Sequence, residues 1–352
     1  MAPQSSRTQS ALVVHGALNL PSVEIRSYNL ETRDEDGFAG DKVTSGSFRD
    51  LLDEWRSKLR ETGDDPLGDT PTEEIGKKQL DELLHGGNSD VAGLIQTAVE
   101  SFAQRLAAVL RRFLRLKAWR DTQRVAIGGG LREARIGELA VGRAEMILRA
   151  EGVEIDLRPI HHHPDEAGLV GCAHLAPSWM FAGHDSIVAI DIGGSNIRCG
   201  IVQLNLKKAP DLSKASVWKS QLWRHSDDGP DRDGAVDTLC EMLEWAIRAA
   251  RRKKLALAPF IGVGCPGVIE SDGSIERGAQ NLPGNWESSR FNLPVLIKEK
   301  IPRIGDHDTA VVMHNDAVVQ GLSETPFMQD VERWAVLTIG TGLGNASFTN
   351  RT

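Results

Sequence analysis

Three glycine turns and one Asn-Asp step carry the residues of this chain whose types and spacing could do chemistry. The first turn, Asp191-Ile192-Gly193-Gly194-Ser195-Asn196, follows an apolar run over 187–190. Glycines in such a hairpin let the backbone approach phosphate oxygens closely. An aspartate at the strand end can hold Mg²⁺, directly or through water. The second turn, Gly340-Thr341-Gly342, offers another nest of N–H groups, with Thr341 as a side-chain donor. The third, Gly128-Gly129-Gly130, stands where a strand meets a helix and could admit adenine or ribose. Each also has a plain structural reading, because glycines after a strand are more often simply a turn. A dinucleotide-binding reading of the second turn fails, since position 345 is Asn rather than Gly.

The fourth feature is the run Val311-Val312-Met313-His314, leading into Asn315-Asp316-Ala317 and on to Glu324. Taken alone, an Asp at a helix start is read first as its N-cap. Phosphoryl transfer needs a polyphosphate held by backbone N–H groups, a metal to offset its charge and a positioned nucleophile.

The elements that must position these residues follow from periodicity. Residues 1–47 are mixed, with short apolar pieces at 11–15 and 23–25. Helical spacing appears at 48–59 and more strongly at 90–119, where Val91, Leu94, Ile95, Ala98, Val99 and Phe102 recur at three- and four-residue steps. Ser89 or Asp90 is the expected cap. A strand at 125–127, a helix at 136–151, a strand at 154–160 and a helix at 166–176 follow, and 177–185 reads as a surface linker with a Trp-Met-Phe cluster able to fold back. Beyond it come two strands joined at Gly193-Gly194, a third at 216–223, a helix at 235–252 and a strand at 259–265. A helix at 294–300, a strand at 310–314, a helix at 316–324 and a hairpin at 334–348 complete the pattern. The alternation predicts an α/β protein. The last hairpin is expected to pair with strands far away in sequence.

The chain has 352 residues, enough for two domains, with 40% hydrophobic and 26% charged residues. A net charge of −8 provides no basic surface for nucleic acid or an anionic membrane. Four scattered cysteines lack C-x-x-C spacing, which argues against a disulfide framework or a thiolate zinc site. The first twenty residues lack a charged segment followed by a long apolar block, and no apolar run reaches a membrane span. The expectation is a cytoplasmic protein. His161-His162-His163 has no acidic or cysteine partner at ligand spacing and is read as a solvated strand end.

Taken together, the turns, the Asn-Asp step and Ala167-Gly168-Leu169-Val170-Gly171-Cys172-Ala173 resemble the ROK group of sugar kinases, within the actin/Hsp70/hexokinase superfamily. Their order differs from the family's and looks circularly permuted: joining Thr352 to Met1 restores it. The resemblance implies two actin-like, ribonuclease H-like α/β domains around a cleft. It divides the chain into a larger nucleotide-binding domain, 1–165 plus 309–352, and a smaller sugar and phosphate domain, 166–308. It implies an ATP- and Mg²⁺-dependent kinase acting on a hexose or hexose derivative, with Asp316 taking the proton from a sugar hydroxyl. Asn315, Asn281, Gly267 and Glu24 would bind the sugar. Gly193, Gly194, Ser195, Asn196, Gly340, Thr341, Gly342 and Gly128–Gly130 would bind the nucleotide, with Asp191 at the Mg²⁺. Asn281 lies in Asn281-Leu282-Pro283-Gly284-Asn285-Trp286, which resembles a substrate loop of the family, as does Gly264-Cys265-Pro266-Gly267.

Two departures stand out. Glu24 is followed by Ile-Arg-Ser and lacks the family's histidine, and the cysteine cluster that binds structural zinc is absent, so no zinc is expected. The implied partner is a small-molecule sugar, without nucleic acid or membrane, and a homodimer is compatible with it. The alternative function is a non-catalytic sugar sensor or regulator of the ROK type. An actin-like ATPase or structural module is a third reading, which the Asn281 and Asn315-Asp316 loops disfavour.

Overall fold

The computed structural model of the chain describes residues 14–35 and 37–351, so the start of the 11–15 apolar run lies outside them. In chain order, β1 (Val23–Tyr28) is followed by helices α1 (Ser45–Thr62), α2 (Lys77–His85) and α3 (Ser89–Arg115). Next come β2 (Arg124–Gly129), α4 (Arg135–Ala150), β3 (Asp156–Pro159) and α5 (Pro164–Gly171). Strands β4 (Ser186–Ile192), β5 (Ile197–Gln203) and β6 (Ser216–Trp223) lead to α6 (Arg232–Lys253) and β7 (Leu257–Cys265). The remaining elements are α7 (Leu293–Lys300), β8 (Ala310–Asn315), α8 (Asp316–Leu322), β9 (Arg333–Ile339) and β10 (Leu343–Asn350).

These elements form two compact units: one of residues 1–25, 165–327 and 351–352, the other of 26–164 and 328–350. This corrects the division expected at 308/309. β8 hydrogen-bonds in parallel to β7 along its whole length, from Ala310 opposite Phe260 to Asn315 opposite Cys265. Six ladder positions tie residues 310–315 to the first unit, and local sequence pattern carries no record of such a long-range pairing.

The first unit is built on a five-stranded sheet in the order β8-β7-β4-β5-β6. β4 pairs in parallel with β7 and antiparallel with β5, and β5 with β6. The three strands that carry site residues, β4, β7 and β8, are therefore parallel neighbours whose C-terminal ends lie together. β4 is buried along all seven residues, the near-continuous apolar run expected of a strand covered on both faces. α6 packs Leu239, Leu243 and Ala246 into the core shared with Ile190, Val263 and Met313. Asp231 caps α6 by accepting from Gly234 N at 2.8 Å.

The second unit has its own five-stranded sheet, β1-β10-β9-β2-β3. β9 pairs antiparallel with β10 and in parallel with β2, so the 334–348 hairpin does pair with strands distant in sequence. α3 is the core helix, with Ile95, Phe102, Leu106 and Leu110 fully buried. Its cap is Asn88 rather than Ser89 or Asp90: the Asn88 side chain accepts from Asp90 N and Val91 N. The helix stops at Arg115 because Leu116 turns extended, and Lys117–Trp119 forms a separate 3₁₀ turn. Within the 177–185 linker, the Trp-Met-Phe cluster folds back in part. Trp179 is exposed, but Phe181 is fully buried, edge-on to Phe260 at 5.6 Å between ring centroids.

α5 lies so close to α8 that a Cβ at Gly171 would sit 1.7 Å from the backbone carbonyl oxygen of Val319. Backbone cannot yield as a flexible side chain can. Gly171→Ala is expected to destabilise the protein by about 3 kcal/mol, read as a lower denaturation midpoint with an unchanged m-value.

Candidate active site

Asp191 ends the most buried strand of the first unit, and the chain turns back directly after it. Gly193 N–H donates to Asn196 O at 2.8 Å and closes a tight hairpin with Gly194 and Ser195 at its tip. A residue with no motif to mark it fixes this hairpin: His225, buried, places Nε2 2.9 Å from the Gly193 carbonyl. Ser226 N–H donates to Ser195 O on the same hairpin. Asn281 lies beside the tip, with its Cβ 3.2 Å from where a Gly194 Cβ would be. Structure thus brings together Gly193, Gly194, Ser195, Asn196 and Asn281. Trp286, by contrast, packs beneath the substrate-like loop, donating from Nε1 to Pro283 O at 2.7 Å and meeting Phe291 edge-on.

The Asp191 carboxylate is enclosed. A Cβ at Gly168 of α5 would stand 2.3 Å from its Cγ, so only glycine lets this helix pass. Its Oδ1 is buried with no hydrogen-bond partner, while Oδ2 lies 3.7 Å from Arg198. Arg198 is held by Asp165, with Nε to Oδ1 at 2.8 Å. Burial pushes the Asp191 carboxyl above its usual range; Arg198 pulls it back and Asp165 pushes it further up. Arg198 lies two residues beyond the Asp191–Asn196 turn and carries no role in the sequence reading. The signal was available, because a hairpin closed by Gly193 and Asn196 places position 198 opposite 191, as the β4–β5 register shows. An orphaned, buried carboxylate oxygen is costly unless a cation compensates it, so Asp191 fits a divalent metal.

Asn315, not Asp316, caps α8. Its Oδ1 accepts from Ala317 N at 3.0 Å and Val318 N at 3.2 Å, and its Nδ2 donates to Gly267 O at 3.0 Å. The amide also supports the Asp316 carboxylate. Asn315 is buried and spends its polar atoms on the protein, which makes it a scaffold for its neighbour. Gly267 has φ +104°, and its carbonyl is the one that receives Asn315. With the cap supplied by Asn315, the Asp316 carboxylate is released from that task. Burial, then the charge of Asp191, raise its pKa to about 7. A base poised there is half ionised at neutral pH. Gly264 lies between the two acids: a Cβ on it would be 3.4 Å from Asp191 Oδ1 and 3.6 Å from Asp316 Cα.

Glu24 lies on β1 with its side chain exposed, and its backbone bridges Asn19. Among the described contacts none joins it to Asp316 or Asn281.

The second unit holds the other two turns. Gly340 N–H donates to Gly342 O at 3.0 Å, and Gly340 O accepts from both Ser45 N and Ser45 Oγ at the start of α1. Gly129 has φ +94° and runs tight against β9, where a Cβ would be 2.0 Å from Ile339 O. Lys77 Nζ donates to Gly130 O at 2.8 Å, and Asp81 accepts from Arg135 N and Ile136 N at the head of α4. A carboxylate of the protein therefore occupies this helix N-terminus. Alongside lies a cavity lined by Phe102, Ile127, Val141, Pro159 and Ile339, with Arg132 and Glu138 at its polar side. Its walls are mostly apolar. Among the described residues no group of three or more His, Cys, Asp or Glu could hold a metal, and no helix is long and apolar enough to cross a membrane.

No protein-family model matches this chain. A glucokinase of Thermotoga maritima is 25% identical over 166 residues, which are 47% of this chain and 44% of that protein. The chain therefore covers less than half the length of this curated relative. A ROK hexokinase from Thermus thermophilus is 23% identical, with a TM-score of 0.33 over 46% of this chain and 45% of the other. A ROK family glucokinase from Streptomyces griseus, solved with glucose and AMPPNP, is 19% identical, with a TM-score of 0.35 over 47% and 46%.

Proposed function

We propose that this chain is a sugar kinase that transfers the γ-phosphoryl group of ATP to a hydroxyl of a hexose or hexose derivative, with Asp316 as general base. One observation carries the reading: a carboxylate relieved of helix capping, with its pKa raised to about 7, facing a second buried carboxylate at the root of a glycine hairpin. The partial match to a glucokinase supports the same reading.

Asp316 in its ionised form takes the proton of the acceptor hydroxyl as the oxygen attacks the γ-phosphorus. The bond from that phosphorus to the β–γ bridging oxygen breaks, and ADP leaves. Asn281 orients the sugar beside the hairpin, where an amide can bridge neighbouring hydroxyls. Gly194 and Ser195 at the tip present backbone N–H groups to phosphate oxygens, and His225 holds the hairpin in that shape. Asp191 would hold Mg²⁺, which neutralises charge developing on the phosphates. The glycine turns at 128–130 and 340–342, in the second unit, are proposed as further nucleotide-binding residues.

We extend the proposal to chain order. Placement of β10 next to β1, and of β9 next to β2, supports a circularly permuted ROK arrangement, in which elements from the two ends of this chain, consecutive in the family order, share one sheet.

The test is ADP release from Mg-ATP across hexoses, N-acetylhexosamines and smaller polyols. Strong stimulation by one sugar is the expected result and names the substrate. Binding of a sugar without turnover on any acceptor would replace the kinase with a sugar sensor.

A further inference from the structure

β8 stands at the end of the first unit's sheet order, with β7 on one side only. Along its other side, backbone groups two residues apart face the same way. Residues 15–17 meet this edge. Gly16 N–H donates to Met313 O at 3.0 Å, and Met313 N–H donates to His15 Nδ1 at 3.1 Å. At the next outward position, Asn315 N–H donates to the ring of its own neighbour, His314 Nδ1, at 2.7 Å. With Nδ1 accepting, the His314 proton resides on Nε2, which donates to Ala17 O at 3.2 Å. Two imidazole nitrogens thus take successive N–H groups that carbonyls of another strand would otherwise receive. Burial pushes the His314 pKa down to about 4, so this ring stays neutral and keeps its acceptor.

We infer that His15 and His314 are positioning residues for Asp316: as hydrogen-bond acceptors they pin the outer edge of β8, and so fix the direction in which the chain delivers Asn315 and Asp316. The inference rests on the kinase reading above. β7 holds the inner edge through the ladder that ends at Asn315 opposite Cys265. The imidazoles hold the outer edge over the same two residues. Asp316 follows immediately, and a base displaced by about 1 Å can lose on the order of 10²-fold in rate. Replacing either acceptor with an apolar side chain leaves a strand N–H without its partner, which loosens the edge or forces it to move.

The test compares His314→Leu with His314→Asn, and His15→Leu with His15→Asn, in the full chain. Asparagine sets Oδ1 close to where Nδ1 stands and keeps the acceptor; leucine removes it. Hydrogen exchange at Met313 and Asn315 is expected to rise by at least about tenfold in the leucine variants and to stay near wild type in the asparagine variants. With a sugar acceptor in hand, His314→Leu is expected to lower kcat on the order of 10²-fold, with KM for ATP within about twofold, and His314→Asn to recover most of the loss. Unchanged exchange in the leucine variants, or asparagine variants as impaired as leucine, overturns the inference. His15 is only half-buried, so its pair of variants decides the matter if His314→Leu does not fold. If the wild type phosphorylates no sugar, the kinase reading fails, while the exchange comparison still decides the role of the two imidazoles.

Discussion

Asp316→Asn is expected to lower sugar phosphorylation by about 10²–10⁴-fold, the contribution of a positioned general base. Binding of sugar and nucleotide should remain close to wild type, since asparagine keeps the shape of the side chain. The pH profile carries the sign of the effect. The base works only when ionised, and its pKa is raised to about 7, so kcat/KM should rise with pH through that value and level off above it. Stability runs the other way. A carboxyl whose folded pKa lies above its unfolded value favours the folded state at low pH and loses that advantage as pH rises towards 7. At pH 8 the wild type therefore holds an ionised, half-buried carboxylate near a second acid, and Asp316→Asn removes it. The variant should melt at a higher temperature than wild type at pH 8 and at nearly the same temperature at pH 4. Unaltered turnover would remove Asp316 as the base; a lower melting temperature at pH 8 would show that the carboxylate is compensated by partners.

Asp191→Asn is the second large effect. It takes away the carboxylate whose Oδ1 is buried without a hydrogen-bond partner and which would hold Mg²⁺. Turnover is expected to fall on the order of 10²–10³-fold, as when one preorganised electrostatic contact is removed from a transition state. The residual activity should depend much less steeply on Mg²⁺ concentration. A second readout separates this from general damage. The charge of Asp191 is one cause of the raised Asp316 pKa, so without it the acid limb of the residual profile should move to lower pH. An unchanged Mg²⁺ dependence would remove Asp191 as the metal ligand. An unmoved acid limb would mean that burial alone sets the acidity of Asp316.

Much of the site was legible because its signals are local. An apolar run ending in an acid and two glycines can hardly be other than a strand and a tight turn, and the cross-strand position of Arg198 follows from that turn. The step from β8 into α8 at Asn315-Asp316 is equally local, since strand periodicity stops where helix spacing starts. What the spacing left open was which of the two residues caps the helix. Asn315 takes the role because its Oδ1 reaches Ala317 N and Val318 N while Nδ2 reaches Gly267, and the last of these partners is far away in the chain.

The glycines of α5 show the same limit from another side. Their sequence resembled a final helix of the ROK pattern, but their physical reason, the passage of backbone against Asp191 and Val319, exists only once β4 and α8 are in place. His225 and His314 had no signal at all: a lone histidine carries no spacing, and its role is set by whichever carbonyl or N–H tertiary packing brings to its ring.

Taken alone, the amino-acid order determined the α/β class, the positions of the turns and the identity of the two acids, because these depend on periodicity of two and of 3.6 and on residues a few positions apart. Only the tertiary structure decided that β8 belongs to the sheet of β4 and β7, that β10 neighbours β1, and that Asp316 titrates near 7. Strand pairing and burial are properties of residues distant in sequence, and the free energy of a charge depends on the water and the other charges that folding removes from it or sets beside it.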